Sequence, residues 1–120
     1  MTIDEIRLFC LNKPKTTEEF PFDKDTLVFK VLGKIFALCP LEQWDSGRPS
    51  ITLKCDPEYA LELRDNHNGI VPGFHANKKH WNTVYLEPQQ VSPQLLFDLI
   101  THSYNMVVQN MPKKQRDQLL

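Results

Sequence analysis

Apolar residues recur every three or four positions at the start of the chain, and this spacing predicts an amphipathic helix. The apolar positions are Ile3, Ile6, Phe9 and Cys10. Thr2 and Glu5 have the T-x-x-E spacing of a capping box, which places the beginning of the helix. We expect the helix to end before Pro14, because a proline disfavours the helical conformation of the residue that precedes it.

The pattern then changes to the alternation that is typical of β-strands. Apolar and other residues alternate over 27–31, which predicts a first strand. The segment VLGKIF predicts a hairpin turn around Gly33 that leads into a second strand at 35–39. A third strand is predicted at 50–55, and the intervening PLEQWDSGRP (40–49) is predicted to be a loop.

The segment CDPEYALELRDNHNG predicts the clearest helix of the chain. Asp56 is a good N-cap, and Pro57 follows at the first helical position, where its missing N–H costs nothing. Asn68-Gly69 is expected to provide a left-handed residue at the end of this helix. Two short strands are then predicted at 70–74 and 82–86.

A long helix is predicted to begin at Ser92-Pro93 and to end near Pro112, and the KKQRDQLL that follows is a basic tail with one more helical turn. The apolar residues of the long helix are Leu95, Leu96, Leu99, Ile100, Met106 and Val107. We expect Leu99, Ile100 and Val107 to share one core with Phe74 and Trp81. The order of elements predicts an α+β fold, an antiparallel sheet with the N- and C-terminal helices packed on one face.

Composition fits one soluble domain over residues 1–120, with a net charge of −1. Residues 1–63 carry eight Lys/Arg and eleven Asp/Glu, and residues 64–120 carry six and four, so the balances are −3 and +2. The three cysteines are widely spaced and contain no CxxC motif, which favours reduced, buried thiols in a cytoplasmic protein. No apolar run reaches 18 residues and the N-terminus carries acids, so neither membrane insertion nor export is expected.

The segments LKCDPEYALELRDNHNGIVPGFHANKKHWNTVYL and SYNMVVQNMPKKQRDQL resemble the MmcQ/YjbR family of small bacterial proteins. The resemblance covers the chain from GKIFAL to its end. It implies a CyaY-like (frataxin-like) α+β fold and a cytoplasmic protein. It also implies binding of double-stranded DNA through a double-wing surface, the function proposed for the family. We expect a monomer that needs no cofactor.

Two basic clusters are the candidate DNA-binding residues, because ammonium groups suit phosphates and an aromatic ring can stack on an unpaired base. They are His75, Asn77, Lys78, Lys79, His80 and Trp81 in the first cluster, and Lys113, Lys114 and Arg116 in the second. The alternative is structural: Phe74 and Trp81 anchor a loop in the core, the two lysines are its solvated tip, and the second cluster is an exposed tail. The sequence does not place the two clusters side by side.

The sequence also bears on metal binding, on catalysis and on the binding of a protein or small ligand. The histidines at 67, 75, 80 and 102 lack metal-ligand spacing, and the first helix carries only Asp4 and Glu5, so frataxin-like iron binding is not expected to accompany the fold. No catalytic triad, nucleophile elbow or phosphate-binding loop is present, so no enzyme is expected. Cys55 precedes a helix N-terminus, which can lower a thiol pKa, but the simpler role is a small buried residue. A protein- or small-ligand-binding module that uses a groove around residues 75–81 is the first alternative to DNA binding, and a frataxin-like metal carrier is the second.

Overall fold

The α+β fold is confirmed by the computed structural model, which describes residues 1–73, 76–87 and 91–119. The helices are α1 (Ile3–Leu11), α2 (Leu41–Asp45), α3 (Pro57–Asn66), α4 (Pro93–Gln109) and α5 (Lys113–Arg116), with a 3₁₀ turn at Asp117–Leu119. The strands are β1 (Thr16–Glu19), β2 (Thr26–Val31), β3 (Lys34–Pro40), β4 (Ser50–Lys54), β5 (Ile70–Pro72) and β6 (Trp81–Tyr85).

The strands form one sheet in the order β1-β2-β3-β4-β6-β5, and all neighbouring pairs are antiparallel. The β2–β3 connection is the predicted hairpin. Leu32 and Gly33 both have positive φ, 48° and 81°, as the two-residue turns that match the twist of a hairpin require. Antiparallel pairing puts the starts of β1, β3 and β6 at the same end of the sheet as the ends of β2, β4 and β5.

The core lies between one face of the sheet and the helices. Ile6 and Cys10 of α1 are fully buried there, as predicted from their spacing. Leu99, Ile100 and Val107 of α4 belong to the same cluster, so the N- and C-terminal helices pack on one face, as expected. None of α1, α3 and α4 packs on the opposite face, which Gln43 of α2 borders through its bond to Ser50, and we call it the open face.

Trp81 does not belong to this core, so that prediction was wrong. Side chains alternate across a strand, and Val84 of β6 faces the core while Thr83 and Tyr85 line a groove on the open face. Trp81 therefore lies on the open face and is half-buried. Phe74, its predicted companion, lies outside the described residues.

Ser103 fastens α4 to the sheet at a β-bulge. β2 pairs Phe29 with Ala37 but Lys30 with Ile35, so Phe36 is the extra residue. The Ser103 hydroxyl donates to Phe36 O at 2.6 Å and accepts from Lys54 N at 2.9 Å. It thus bridges β3 and β4 one step beyond the pairing of Ala37 with Leu53.

Three local predictions needed correction. The predicted loop at 40–49 contains α2, whose Trp44 indole donates to Ser50 O. α3 ends at Asn66, and His67 closes it in an extended conformation, so no left-handed residue is used at 68–69. The edge strand β1, with the sequence TTEE, was not predicted because it lacks apolar alternation.

Candidate nucleic-acid interface

The segment 76–80 is a tight turn that connects β5 to β6. Asn77 organises it: its carbonyl accepts from His80 N and Trp81 N, and its side-chain Oδ1 accepts from Lys79 N at 3.0 Å. His80 O in turn accepts from Cys55 N at 2.8 Å, which extends the β4–β6 ladder by one step. The turn therefore holds Lys78 and Lys79 at the surface beside the end of β4.

Arg64 of α3 anchors this turn from the helix side. Its Nε donates to Asn82 Oδ1 at 2.6 Å, and its Nη2 donates to the carbonyls of Lys78 and Trp81. Asn82 is buried and donates to Ala60 O of α3 at 3.3 Å. One guanidinium thus ties α3, β6 and the turn together, which the planar fork of arginine makes possible.

Gly73 permits the close approach of β5 and β6 before the turn. A Cβ at this position would lie 2.8 Å from Trp81 Cβ and 3.0 Å from Trp81 O. Its own N–H donates to Trp81 O at 2.9 Å, and its carbonyl accepts from Lys78 Nζ at 3.1 Å. Lys78 is therefore partly engaged with its own loop, although both Lys78 and Lys79 are exposed.

Strand pairing places further lysines at the same end of the sheet as this turn, and we call this surface the basic end. It comprises Lys15 before β1, Lys34 after the β2–β3 hairpin, Lys54 at the end of β4, and Lys78 and Lys79 before β6. Leu32 N donates to Lys15 O, so Lys15 lies against the hairpin that carries Lys34. Lys54 pairs directly with Trp81. Sequence reasoning missed Lys15, Lys34 and Lys54, because only the strand order brings them together.

The second cluster follows α4 at the same end of the molecule. Tyr104 donates to Pro14 O at 2.6 Å, next to Lys15, and Ser103 contacts Lys54 N, so the second half of α4 lies over the basic end. Lys113 begins α5 four residues after Gln109, which is at most about 14 Å of chain. Lys113, Lys114 and Arg116 are all exposed.

The opposite end of the sheet is acidic. Glu19 ends β1, Asp23 and Asp25 precede β2, and Glu42 and Asp45 lie in α2 after β3. The molecule therefore has separated charge although its net charge is only −1. An anion meets a positive surface at one end and a negative surface at the other.

The predicted DNA-binding residues have different roles in the structure. Asn77 serves the turn itself, while His80, half-buried, uses its backbone to bond Cys55. The Lys79 ammonium makes no hydrogen bond or ion pair within the described part of the chain. His75 lies outside the described residues.

The remaining histidine and cysteine chemistry is structural. His102 Nε2 accepts from Asp56 N at 3.1 Å, and burial lowers the pKa of this imidazole. Cys55 is 3% exposed, and burial raises its pKa to about 11, so its position before α3 does not activate it. Cys10, Cys39 and Cys55 are all free and buried, in agreement with the prediction of buried thiols.

Over residues 1–73, 76–87 and 91–119, no group of three or more His, Cys, Asp or Glu side chains is placed to hold a metal ion. No helix within those ranges has both the length and the apolar character needed to cross a bilayer.

The fold and the basic end define a small α+β protein with a charge-separated sheet, and comparisons with known proteins give its family. The YjbR family model matches residues 11–106. The chain is 33% identical over 120 residues to the uncharacterized protein YjbR of Escherichia coli K12, covering 100% of this chain and 98% of that protein. It is 41% identical over 97 residues to the uncharacterized protein YbdF of Escherichia coli O157:H7, covering 81% and 76%. The chain belongs to the YjbR family, as the resemblance indicated.

Solved structures agree with this assignment. The Deinococcus radiodurans protein DR2400, with a DUF419 domain, superposes with a TM-score of 0.89 at 43% identity, covering 98% of this chain and 87% of that one. A Pseudomonas syringae protein superposes with a TM-score of 0.72 at 30% identity, covering 88% and 98%.

Proposed function

We propose that this protein binds double-stranded DNA weakly and with little sequence preference, through phosphate contacts at the basic end. The observation that carries the proposal is the convergence of Lys15, Lys34, Lys54 and Lys79 on one end of the sheet. These residues come from four separate parts of the chain. The proposed role is binding without catalysis.

The chemistry of the cations explains the expected lack of sequence preference. Lysine ammonium groups are mobile point charges that suit phosphate oxygens, whereas base edges are read best by side chains with a fixed hydrogen-bonding geometry. Arg64, the arginine nearest the turn in the contacts described above, is committed to protein acceptors. The surface therefore provides charge rather than base-reading geometry.

The acidic end supports an end-on arrangement. With Glu19, Asp23 and Glu42 at the far end of the strands, a duplex is attracted to the basic end and repelled from the other. Three phosphate contacts would give a slope of log K against log salt of about −3. The dissociation constant is expected at about 10⁻⁴ to 10⁻⁶ M, as for other non-specific binders.

Titration of a labelled duplex at two salt concentrations tests the proposal. Lys34→Ala together with Lys79→Ala should weaken binding to all sequences alike and flatten the salt slope by about 2. These two residues are preferred to Lys78, because Lys78 Nζ also bonds Gly73 O and its loss would disturb the turn. Lys24→Ala, an exposed lysine at the acidic end, is the matched control and should leave the slope unchanged.

The C-terminal cluster is tested separately. Lys113→Ala with Lys114→Ala should produce a further loss if α5 contributes to the same surface. Wild-type protein that fails to bind duplex at low salt would contradict the proposal. A Lys24→Ala effect as large as that of the Lys34/Lys79 pair would also contradict it, because the binding surface would then not be the basic end.

A further inference from the structure

A groove of about 430 Å³ crosses the open face of the sheet, and no lysine of the basic end lines it among the described residues. Its residues come from β2, β3, β4 and β6, from the segment that precedes β2, from Gln43 of α2 and from Ala76 of the β5–β6 turn. The lining includes Phe22, Asp23, Leu38, Pro40, Thr52 and Tyr85. Sites of about 300–1,000 Å³ with mostly apolar walls and a few polar groups are typical for small organic ligands.

Two aromatic side chains stand on opposite sides of this groove. Phe22 leads into β2 and is 64% exposed, which is unusual for so large an apolar residue. Tyr85 lies on β6, three strands away in the sheet order, a distance of about 14 Å at the usual spacing of strands. A planar ring that entered the groove would cover the exposed face of Phe22, and the rings would stack.

The floor between the aromatic residues is neutral and polar. The hydroxyls of Thr52 and Thr83 lie 2.8 Å apart, and Ser50 donates to Gln43 Oε1 at 2.6 Å. These groups satisfy one another, so the floor does not demand a charged ligand. Leu38 and Pro40 provide the apolar surface beside them.

Asp23 is the charged residue among the described lining. Its carboxylate accepts from the backbone amides of Asp25 and Thr26, at 2.9 and 2.6 Å, and from the Thr26 hydroxyl. These bonds lower its pKa, with the Thr26 amide as the main cause. The groove therefore has an ionised carboxylate at the rim beside Phe22, which attracts a cation and repels an anion at that side. On the opposite side the Arg48 guanidinium lies over the Tyr85 ring, 5.1 Å from its centroid.

We propose that this groove binds a small planar aromatic molecule that carries a protonated amine. The ring lies against Phe22 and the apolar wall of Leu38 and Pro40, and the ammonium group lies at Asp23. The site is separate from the basic end and does not depend on DNA binding. It also differs from the groove predicted around residues 75–81, since of the described residues of that segment only Ala76 lines it.

Three indole probes that differ in charge test the chemistry: tryptamine, tryptophol and indole-3-acetate. Calorimetry and amide NMR should give a dissociation constant of about 1 mM or below for tryptamine. Tryptamine should bind about two- to fivefold more tightly than the neutral tryptophol, as one exposed ion pair allows. Indole-3-acetate should bind most weakly, and the shift changes should include Thr52, Ala76 and Tyr85.

Two variants separate charge from shape. Asp23→Asn keeps an acceptor for the amides of Asp25 and Thr26 but removes the charge, so it should equalise tryptamine and tryptophol. Leu38→Trp should fill the groove and weaken all three probes while the melting temperature shows that the protein is folded. The proposal is overturned if no probe binds at 5 mM (about five times the expected constant), if indole-3-acetate binds best, or if Asp23→Asn preserves the preference for tryptamine. Since no DNA is present, these outcomes are independent of those for the basic end.

Discussion

Arg64 and Asn82 form the junction between the third helix and the loop of the candidate interface, with Nε of Arg64 2.6 Å from Oδ1 of Asn82. Asn82 is 2% exposed, so its amide depends on protein partners. The same guanidinium bonds two carbonyls at the turn. The position of the basic loop is therefore determined from the helix side of the sheet, where no DNA contact is proposed.

Arg64→Leu should lower the free energy of unfolding by about 1–3 kcal/mol, because Asn82 Oδ1 loses its donor in a buried position. Hydrogen exchange at the amides of His80 and Trp81, which bond Asn77 O, should become faster. Urea unfolding and exchange NMR measure both effects. Arg116→Leu, at an exposed position of α5, is the control and should change stability by less than about 0.5 kcal/mol. Equal effects in the two variants would show that the Arg64 contacts do not stabilise the turn.

Ser103→Ala should cost about 1–3 kcal/mol, since it leaves Phe36 O without its donor and Lys54 N without its acceptor. The loss of stability comes from the two missing hydrogen bonds at the bulge rather than from a cavity, because alanine removes only a hydroxyl. Ser103→Thr keeps the hydroxyl and adds a methyl group. Denaturant unfolding of Ser103→Ala and Ser103→Thr therefore separates the effect of the hydrogen bonds from the effect of side-chain volume. Thr101→Ala, on the same helix, provides a comparison. A cost below about 0.5 kcal/mol for Ser103→Ala would mean that water satisfies both groups.

Because the His102 imidazole is partly buried, we expect the protein to lose stability on the acid side of neutrality. Burial lowers its folded pKa below the ordinary 6.5, and its Nε2 must remain unprotonated to accept from Asp56 N. The unfolded state therefore binds the proton first as pH falls below 6.5, and the stability contribution present above that pH is lost. The slope for one proton is at most about 1.4 kcal/mol per pH unit.

His102→Gln provides the measurement, because the amide oxygen can accept the same bond without titrating. The wild type should lose more stability than this variant between neutral pH and about pH 5. Parallel stability curves for wild type and His102→Gln would contradict the assignment.

The buried thiols should lower the stability of the fold as pH rises into the alkaline range, the opposite pH direction to that of His102. Burial raises the pKa of Cys10 to about 12 and that of Cys55 to about 11, above the ordinary 9.0. Unfolded thiols then release protons first, so stability that is complete below pH 9 is lost as pH rises toward these values. Cys55→Ala should reduce the loss between pH 9 and about 11 by up to about 1.4 kcal/mol per unit. Identical alkaline slopes in wild type and variant would show that Cys55 does not titrate as proposed.

The sequence predicted the elements that have strong local signals. α1, α3 and α4 were located by their caps and apolar spacing, and Thr2, Asp56 and Ser92 do cap them. β1 and α2 were missed because both are short and have little apolar periodicity. Local signals are reliable where a helix is long enough to show several turns of its pattern.

Only part of the candidate interface could be predicted from the sequence, for a different reason. Lys79 was found because it sits in an unusual run of residues, but Lys15, Lys34 and Lys54 are ordinary lysines in sequence. Only the register, which pairs Lys54 with Trp81, reveals them as neighbours. The face on which Trp81 lies likewise depends on which alternate set of β6 meets the helices, and a one-residue change in that choice reverses the answer.

In the proposed DNA complex, the row of lysines across the strand ends would also limit how densely the protein occupies a duplex. From β1 to β6 the row spans four strand spacings, or about 19 Å, which is the length of five or six base pairs. The smallest dimension of the molecule is 25 Å, which corresponds to about seven base pairs. Neighbouring molecules would therefore exclude one another through their bodies before their contacts overlapped, and a saturated long duplex would retain uncontacted phosphates between them.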